Sequence, residues 1–314
     1  MTTVKQLVHA AAALLMVQGL PAVADTPVPP REVIINGVEF VYVPEGWFWY
    51  ATELGSLPPE LDPKDGKDHW YKEVKIWQDS YYIAKYEARA RHFRNFMQQD
   101  AVTHRDQYIK GETEGCGVRR SPDGEYVLVD EQRDLPVTHL SWNLATEFAD
   151  WMGFRLPTET EWVKAARGTD KRMYPWGNTF PDDTFAGFGT SSGCNSVPVT
   201  AYQKGQSPYG AYNMAGNVYE YVQDWFNLPH DLALKDGDRN PVSDKEGYPT
   251  VDDEDPSKVL KGGRWASNAD GLNVFSRARH HPDYSFVCFG ARFAIDTDQV
   301  MAHLEQGTAE IVVP

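Results

Sequence analysis

The stretch Arg-Leu-Pro-Thr-Glu-Thr-Glu-Trp, residues 155–162, carries the strongest local structural signal in the chain. Thr158 and Glu161 form a capping box, in which each side chain accepts a hydrogen bond from a backbone N–H that a helix leaves free at its start. The pattern therefore predicts a helix over 159–167, and Gly168 ends it.

Short predicted elements surround this helix and are separated by long irregular stretches. Ser141 caps a segment with one apolar stripe, which predicts a second helix that ends at Gly153. The other predicted elements are strands at 33–44 (with a turn at Asn36-Gly37), 74–86, 259–261 and 289–295, and a helix at 88–99. Neither a repeat nor a domain boundary interrupts the sequence, so we expect one loop-rich α+β domain over 33–296.

The composition supports a soluble fold of this kind. The 314 residues include 10 Trp, 16 Tyr and 14 Phe together with 25 Gly and 21 Pro, which is typical of irregular chain pinned by aromatic rings. The formal net charge is −15, from 45 acidic and 30 basic residues. Because an acidic chain repels phosphate groups, nucleic acid and anionic lipid are not expected as main partners.

The first residues are typical of a secretion signal. Lys5 precedes an apolar stretch over 7–20 that is too short to span a bilayer, and Ala22-Val23-Ala24 fits a cleavage site. We therefore predict a signal peptide at 1–24, a linker at 25–32, the domain at 33–296 and a C-terminal tail at 297–314. The mature chain would be periplasmic or secreted and would not span a membrane. An uncleaved membrane anchor is the alternative.

The predicted location determines which oxidation state we expect for the three cysteines. In an oxidising compartment an odd count allows at most one internal disulfide and leaves one thiol. Cys288 lies in an apolar run and is predicted to be a buried thiol. Cys116 and Cys194 lie in glycine-flanked loops and are the better candidates for a disulfide, although the sequence does not settle the pairing.

Eight stretches in series resemble the formylglycine-generating-enzyme family, also called the sulfatase-modifying-factor family. They follow the family's order and spacing across 33–296, at 37–44, 136–143, 155–162, 174–178, 213–220, 261–265, 277–279 and 290–292. The resemblance implies a C-type-lectin-like α+β fold. That fold agrees with the loop-rich, aromatic-rich composition.

The resemblance also implies where copper chemistry would reside, and this chain departs from it. Copper-dependent members carry two cysteines five residues apart after the Gly-Gly-x-Trp element, because soft thiolates suit Cu(I). Here the two positions are Ser267 and Leu272, so we predict no copper and no formylglycine formation. The family's ergothioneine sulfoxide synthase is excluded as well, because the chain has no His-x-x-x-His-x-Glu pattern for iron.

A structural calcium ion is the metal that the resemblance does imply. Family members hold Ca²⁺ with an Asn side chain, two carbonyls and a Glu of an Asn-x-x-Gly-x-x-x-Glu stretch, and hard oxygen ligands are what this ion prefers. The matching residues are Asn213, Gly216, Val218 and Glu220. The alternative is that Asn213 and Glu220 only satisfy loop amides by hydrogen bonding.

The segment 264–284 is the predicted pocket. Arg264 stands where relatives have Ser, and Tyr219 stands where they have Trp. The predicted substrate-binding residues are Tyr219, Arg264, Trp265, Asn268, Asp270, Asn273, Arg279 and Tyr284. The predicted catalytic residues are His280 or His281 as proton carrier, and Ser267 as a candidate nucleophile for which the sequence shows no base.

Each of these residues also has a structural interpretation. Arg277 and Arg279 can be ion-pair partners, Trp265 can belong to the core, and the two histidines can lie in a surface loop. A metal site at His280 and His281 would need Asp283 as its third ligand.

Two functions follow. The first is an extracytoplasmic tailoring protein that oxidises or cyclises a peptide or a peptide-derived small molecule such as a siderophore, similar to the periplasmic pyoverdine-maturation member of the family. The second is a non-catalytic C-type-lectin-like module that binds a polypeptide or another ligand with the same surface. The exported, stand-alone architecture favours the first.

Overall fold

The computed structural model describes residues 28–54, 71–108, 117–129, 134–190, 195–246 and 256–313. The predicted signal peptide and both members of the predicted Cys116–Cys194 pair lie outside these ranges. The strands are β1 Glu32–Ile35, β2 Val38–Val43, β3 Gly46–Glu53, β4 Tyr71–Gln78, β5 Tyr81–Ala84, β6 Val118–Arg120, β7 Tyr126–Leu128, β8 Tyr219–Trp225, β9 Lys258–Lys261, β10 Ala278–His280, β11 Phe289–Ala291, β12 Ala294–Asp296 and β13 Ala309–Ile311. The helices are α1 Ala90–Met97, α2 Trp142–Met152, α3 Glu159–Arg167, α4 Leu228–Ala233 and α5 Thr297–Glu305.

Two larger sheets organise the domain. The first has the strand order β12-β5-β2-β1-β13 and is antiparallel throughout. The second has the order β10-β9-β8-β11, in which β11 runs parallel to β8 with Phe289 opposite Tyr219. Two hairpins, β3-β4 and β6-β7, complete the strand pairing. The long irregular segments between these elements confirm the predicted loop-rich α+β class.

The helices begin and end where their caps predict. The Ser141 hydroxyl accepts a hydrogen bond from Leu144 N at 3.1 Å, and Gly153 closes α2 with a left-handed backbone (φ 83°). Both halves of the Thr158–Glu161 capping box are present at the start of α3. The two predictions for helices at 141–153 and 159–167 are therefore confirmed.

Two predicted strands are each divided in the structure. The stretch 74–86 contains the end of β4 and all of β5, with a break at 79–80. The stretch 289–295 contains β11 and β12, which belong to different sheets, so the chain crosses from one sheet to the other at Arg292 and Phe293. In each stretch the residues before and after the break are similarly apolar, so the sequence pattern does not show where one strand ends and the next begins.

The C-terminal segment 297–314 was expected to be a tail, and in the structure its described part is folded. It forms α5 and then β13, which pairs with β1 so that Val33 lies opposite Ile311. β1 and β13 are so far apart along the chain that no local sequence pattern predicts their pairing. Among the described residues, no helix is both long and apolar enough to cross a bilayer.

An aromatic core joins the helices to the first sheet. Phe148 of α2 contacts Phe93 of α1 with ring centres 5.3 Å apart, and it contacts Phe293 at 5.1 Å. All three rings are fully buried. Close packing of such rings holds the irregular segments that build the candidate site.

Candidate functional site

The two positions that resemble copper-ligand positions lie side by side under a tight turn. Gly263 has φ +73°, and a Cβ atom there would meet Ser267 Oγ at 3.3 Å and Leu272 Cδ2 at 3.1 Å. Only glycine allows this approach. The pair therefore presents one hydroxyl and one buried isobutyl group, a donor set that does not fit Cu(I).

Arg264 connects this turn to a cysteine that the sequence did not place in the site. Its backbone N–H donates to Ser267 Oγ at 3.0 Å, and its Nη1 donates to the sulfur of Cys288 at 3.1 Å. Cys288 is free and fully buried, which confirms the predicted buried thiol. Burial raises the pKa of this thiol, and the Arg264 guanidinium opposes that rise.

Ser267 and Tyr219 share a hydrogen bond through their side chains. Burial raises the pKa of the Tyr219 phenol, and the hydrogen bond from Ser267 works in the opposite direction. The second partner of the Ser267 hydroxyl is the Arg264 backbone N–H. Neither partner is a base, so the contacts position this hydroxyl and do not activate it as a nucleophile.

Four rings form what we call the aromatic wall, made of His280, Tyr284, Phe286 and Phe289. His280 stacks on Tyr284 with ring centres 4.7 Å apart and planes 23° apart, and it lies 4.9 Å from Phe289. Tyr284 and Phe286 are nearly parallel, with planes 17° apart, and are 44% and 38% exposed. The wall therefore offers two solvent-facing rings.

Arg264 and Tyr219 adjoin the aromatic wall. The Arg264 guanidinium carbon lies 5.8 Å from the centre of the Phe286 ring, within range of a cation–π contact. The Tyr219 ring packs edge-on against Phe289 at 6.1 Å. The structure thus brings together five predicted site residues, namely Tyr219, Arg264, Ser267, His280 and Tyr284.

His281 follows β10 directly and contacts Asp283. Its ring is exposed, and Nδ1 lies 3.9 Å from a carboxylate oxygen of Asp283 and accepts the Asp283 backbone N–H at 3.3 Å. The Asp283 carboxylate also accepts hydrogen bonds from Gln107 and Asn143. In the described part of the chain, no three His, Cys, Asp or Glu side chains are grouped to hold a metal.

The other predicted binding residues are held by their own segment. Asn268 Oδ1 accepts from Gly271 N at 3.0 Å and Asn273 Oδ1 accepts from Ser276 N at 2.7 Å, so both amides hold the turn, while Asp270 is exposed. Trp265 is 3% exposed and belongs to the core.

Arg277 and Arg279 flank the ring of Phe226, at 4.6 and 4.5 Å. Arg277 also pairs with Glu159 at 2.7 Å and with Asp231 at 2.6 Å, and all three side chains are nearly inaccessible. Its structural interpretation is therefore confirmed.

The predicted calcium residues fit a metal only in part. Asn213 Nδ2 donates to Glu87 and to the Val199 carbonyl, while its Oδ1, the atom that calcium would need, has no hydrogen-bond partner among the described residues. Gly216 has φ +81° and lies so close to the Gly187 carbonyl that only glycine fits. These features suit a tight oxygen-lined turn.

Glu220 is less available. Its carboxylate is fully buried, pairs with Arg292 at 2.6 Å and accepts from Trp162 Nε1, also at 2.6 Å. Arg292 neutralises this carboxylate, so Glu220 alone cannot balance a divalent cation. Next to it lies Glu87, a residue absent from the predicted set, whose pKa is raised to about 8 by burial and then by Glu220.

Comparison with known proteins now decides the family. Residues 26–297 match the model of the sulfatase-modifying factor enzyme 1-like domain. The chain belongs to this family. The match includes both parts of the candidate site, the Gly263 turn beside Ser267 and Leu272 and the segment 213–220 that leads into β8.

Several curated members of the sulfatase-modifying factor family are similar in sequence. The formylglycine-generating enzyme of Thermomonospora curvata is 34% identical over 198 residues, which cover 56% of this chain and 61% of that enzyme. The mouse formylglycine-generating enzyme is 25% identical over 317 residues, covering 85% and 77%. The hercynine oxygenase of Mycobacterium tuberculosis is 37% identical over 172 residues, covering 53% and 38%. The chain thus spans less than two thirds of two of these proteins.

Solved structures show the same fold. PvdO from Pseudomonas aeruginosa superposes with a TM-score of 0.55 at 19% identity, over 86% of this chain and all of PvdO. CarF superposes with a TM-score of 0.52 at 18% identity, over 82% of this chain and 98% of CarF. At these identities the likeness extends to the sulfatase-modifying factor fold alone.

Proposed function

We propose that this protein binds a peptide or a peptide-derived small molecule, such as a siderophore, against Arg264 and the aromatic wall, and tailors it without a copper–thiolate centre. The observation on which the proposal depends is the juxtaposition of a half-buried guanidinium with two exposed, nearly parallel rings. A periplasmic or secreted location belongs to the same proposal and depends on residues 1–24.

The residues of the pocket suit binding and proton transfer. Arg264 can neutralise a carboxylate or another anionic group, and Tyr284 and Phe286 can stack on a planar ring. His280 lies at the inner side of the stack, where its imidazole can accept a proton. The preferred ligand class is therefore an aromatic molecule with an anionic substituent.

The two tailoring reactions make different demands. In ring closure, a nitrogen of the ligand forms a bond to a carbonyl carbon of the same molecule, and the carbonyl oxygen leaves as water after His280 passes it the proton taken from that nitrogen, so no electrons leave the molecule. Oxidation removes two electrons and two protons from the ligand and needs dioxygen or another acceptor. Of the two reactions, oxidation is favoured by the names of the sequence relatives, which are formylglycine-generating enzyme and hercynine oxygenase.

A binding module without catalysis is the second candidate. It is favoured by the exposure of Tyr284 and Phe286 and by the absence of a base beside Ser267 among its hydrogen-bond partners. In that case the aromatic wall would contact a polypeptide.

One experiment separates the two functions. The full chain is incubated in air with short tyrosine- and tryptophan-containing peptides that end in a free carboxylate, and binding and product mass are both measured. Loss of two hydrogens indicates oxidation, loss of water indicates ring closure, and binding without a mass change supports the binding module.

Variants assign the result to the site. Tyr284→Ala and Arg264→Gln should each weaken binding about tenfold, which is the size expected from one stacking or charge-assisted contact. Trp151→Ala, which removes an equally exposed ring on α2, should leave binding unchanged. If no peptide binds, or if a cysteine peptide is converted to its aldehyde, the proposal is wrong.

A further inference from the structure

A cavity of about 340 Å³ lies between the start of α4 and the segment 243–245. The described residues that line it are Asn227, Pro229, His230, Ser243, Asp244 and Lys245. None of them belongs to the aromatic wall or to the turn at Gly263, so the cavity shares no residue with the candidate site. Ligand pockets in proteins begin at about 300 Å³, so this cavity has room for a small molecule such as an amino acid.

Hydrogen bonds fix both walls of the cavity. The Ser243 N–H donates to Asp224 Oδ1 at 2.9 Å, and the Ser243 carbonyl accepts the Trp225 N–H at 2.9 Å, which holds one wall against β8. Asn227 Oδ1 accepts the His230 N–H at 3.1 Å at the start of α4, which holds the other. Because both walls are formed in advance, a ligand that enters the cavity orders little additional chain.

Ser243 supplies a hydroxyl at the buried end of the cavity. The residue is 3% exposed, and its Oγ has no hydrogen-bond partner among the described residues. Burial of an unpartnered hydroxyl costs free energy, and a ligand with a polar group that reaches Oγ removes that cost. The buried end is therefore suited to an uncharged polar group.

The exposed end of the cavity carries one charge of each sign. Asp244 and Lys245 are both exposed and both line the cavity. A simple anion would pair with Lys245 but would lie beside the like charge of Asp244, and a simple cation would meet the reverse arrangement. A ligand that carries a carboxylate and an ammonium group satisfies both residues with charge-assisted hydrogen bonds.

We infer that this cavity binds a free α-amino acid with an uncharged polar side chain. In this arrangement Lys245 pairs with the carboxylate of the ligand and Asp244 pairs with its ammonium group. The polar end of its side chain bonds to the Ser243 hydroxyl, and the Pro229 ring packs against the methylene groups between the two ends. The inference is independent of the proposed function.

The test uses the full chain with L-serine, L-threonine, L-asparagine and L-glutamine as probes, and binding is measured by titration calorimetry. We expect at least one of them to bind. Its N-acetyl derivative lacks the ammonium group and its carboxamide lacks the carboxylate, so each derivative should bind at least tenfold more weakly, the size expected for one charge-assisted contact. L-Leucine, which cannot bond to the Ser243 hydroxyl, should also bind about tenfold more weakly.

Variants assign the binding to this cavity. Lys245→Gln and Asp244→Asn should each weaken it at least tenfold. Lys235→Gln is the matched control, because Lys235 is also exposed and follows α4 but does not line the cavity, and it should leave binding unchanged. Ser243→Ala should weaken binding about tenfold and leave the midpoint of urea unfolding unchanged, because the hydroxyl that it removes has no partner in the folded chain.

Three results would overturn the inference. They are the failure of all four amino acids to bind, equal binding of the acetylated or carboxamide derivatives, and unchanged binding in Lys245→Gln. Each would leave the proposed function untouched, because the peptides of that proposal are tested on variants of Arg264 and Tyr284.

Discussion

Arg264 and Cys288 are joined by a hydrogen bond of 3.1 Å from the guanidinium to the thiol sulfur, although 24 positions separate them along the chain. The bond places a buried sulfur directly beneath the cation of the candidate pocket. It also makes the acidity of that sulfur depend on Arg264.

Replacing Arg264 by Gln should raise the pKa of the Cys288 thiol. The guanidinium is the group that opposes the effect of burial, so its removal leaves burial alone. The rate at which iodoacetamide modifies Cys288, followed by mass spectrometry as a function of pH, should shift toward higher pH. Arg279→Gln removes a guanidinium that stacks on Phe226, and its profile should match that of the natural chain. Equal shifts in both variants would contradict the prediction.

Breaking the Glu220–Arg292 pair should destabilise the fold strongly. Glu220→Gln leaves the fully buried Arg292 without a charge partner, which typically costs about 3–5 kcal/mol. Urea unfolding in the presence of a chelator measures the loss free of any metal effect. The surface pair of Asp170 and Arg172 is the comparison, and Asp170→Asn should cost at most about 1 kcal/mol. Similar losses of unfolding free energy in the two variants would contradict the burial of the Glu220–Arg292 pair.

Thr158→Ala should cost about 1 kcal/mol of unfolding free energy, because it removes the side chain that accepts the Glu161 N–H at the start of α3. Urea unfolding is again the measurement. Thr184→Ala removes a hydroxyl of an exposed turn and should change stability by less than about 0.5 kcal/mol. Loss of the cap without any loss of stability would mean that tertiary packing alone fixes α3.

The buried carboxyl of Asp224 should make stability fall as pH rises through the weakly acidic range. Burial and then Glu159 raise its pKa to about 7, so between about pH 4 and that value the folded chain binds a proton that the unfolded chain has released. This group therefore stabilises the fold relative to the unfolded chain at low pH and loses that advantage toward neutrality.

Asp224→Asn should flatten this dependence. The variant loses one of the two hydrogen bonds that the Asp224 side chain accepts, from Glu159 N or from Ser243 N, and should be destabilised at about pH 5 by about 1–3 kcal/mol. At about pH 8 the difference from the natural chain should be smaller, because only the natural chain then buries a charged carboxylate. A constant difference at both pH values would exclude Asp224 as the titrating group.

Local signals predicted the helices well and the sheets less well. Ser141, Thr158 and Glu161 cap backbone groups within three residues of themselves, so their effect can be read directly from the sequence. The pairing of β13 with β1 joins residues at opposite ends of the chain, and no short pattern records it. For the same reason the segment 297–314 was expected to be a tail.

In the candidate site, too, the sequence predicted individual residues better than the contacts between distant segments. The resemblance placed Ser267 and Leu272 at related positions, and the structure shows that both side chains adjoin Gly263. Cys288 was predicted to be buried, but the sequence carries no sign of its contact with Arg264, because the two residues are 24 positions apart along the chain. Glu87 was missed altogether, because the stretch 81–88 also contains Lys85 and the sequence does not show which of the two charges is buried.

The antiparallel pairing of β1 with β13 brings the two ends of the described domain together. Because Val312 N reaches Glu32 O at 3.1 Å, the points where the described domain starts and finishes are neighbours in space. A loop of a few residues from 313 back to 30 could close the polypeptide into a ring, and fresh ends could then be opened at an exposed turn such as Gly237. The same proximity means that a partner domain attached at either end would stand on one side of the molecule.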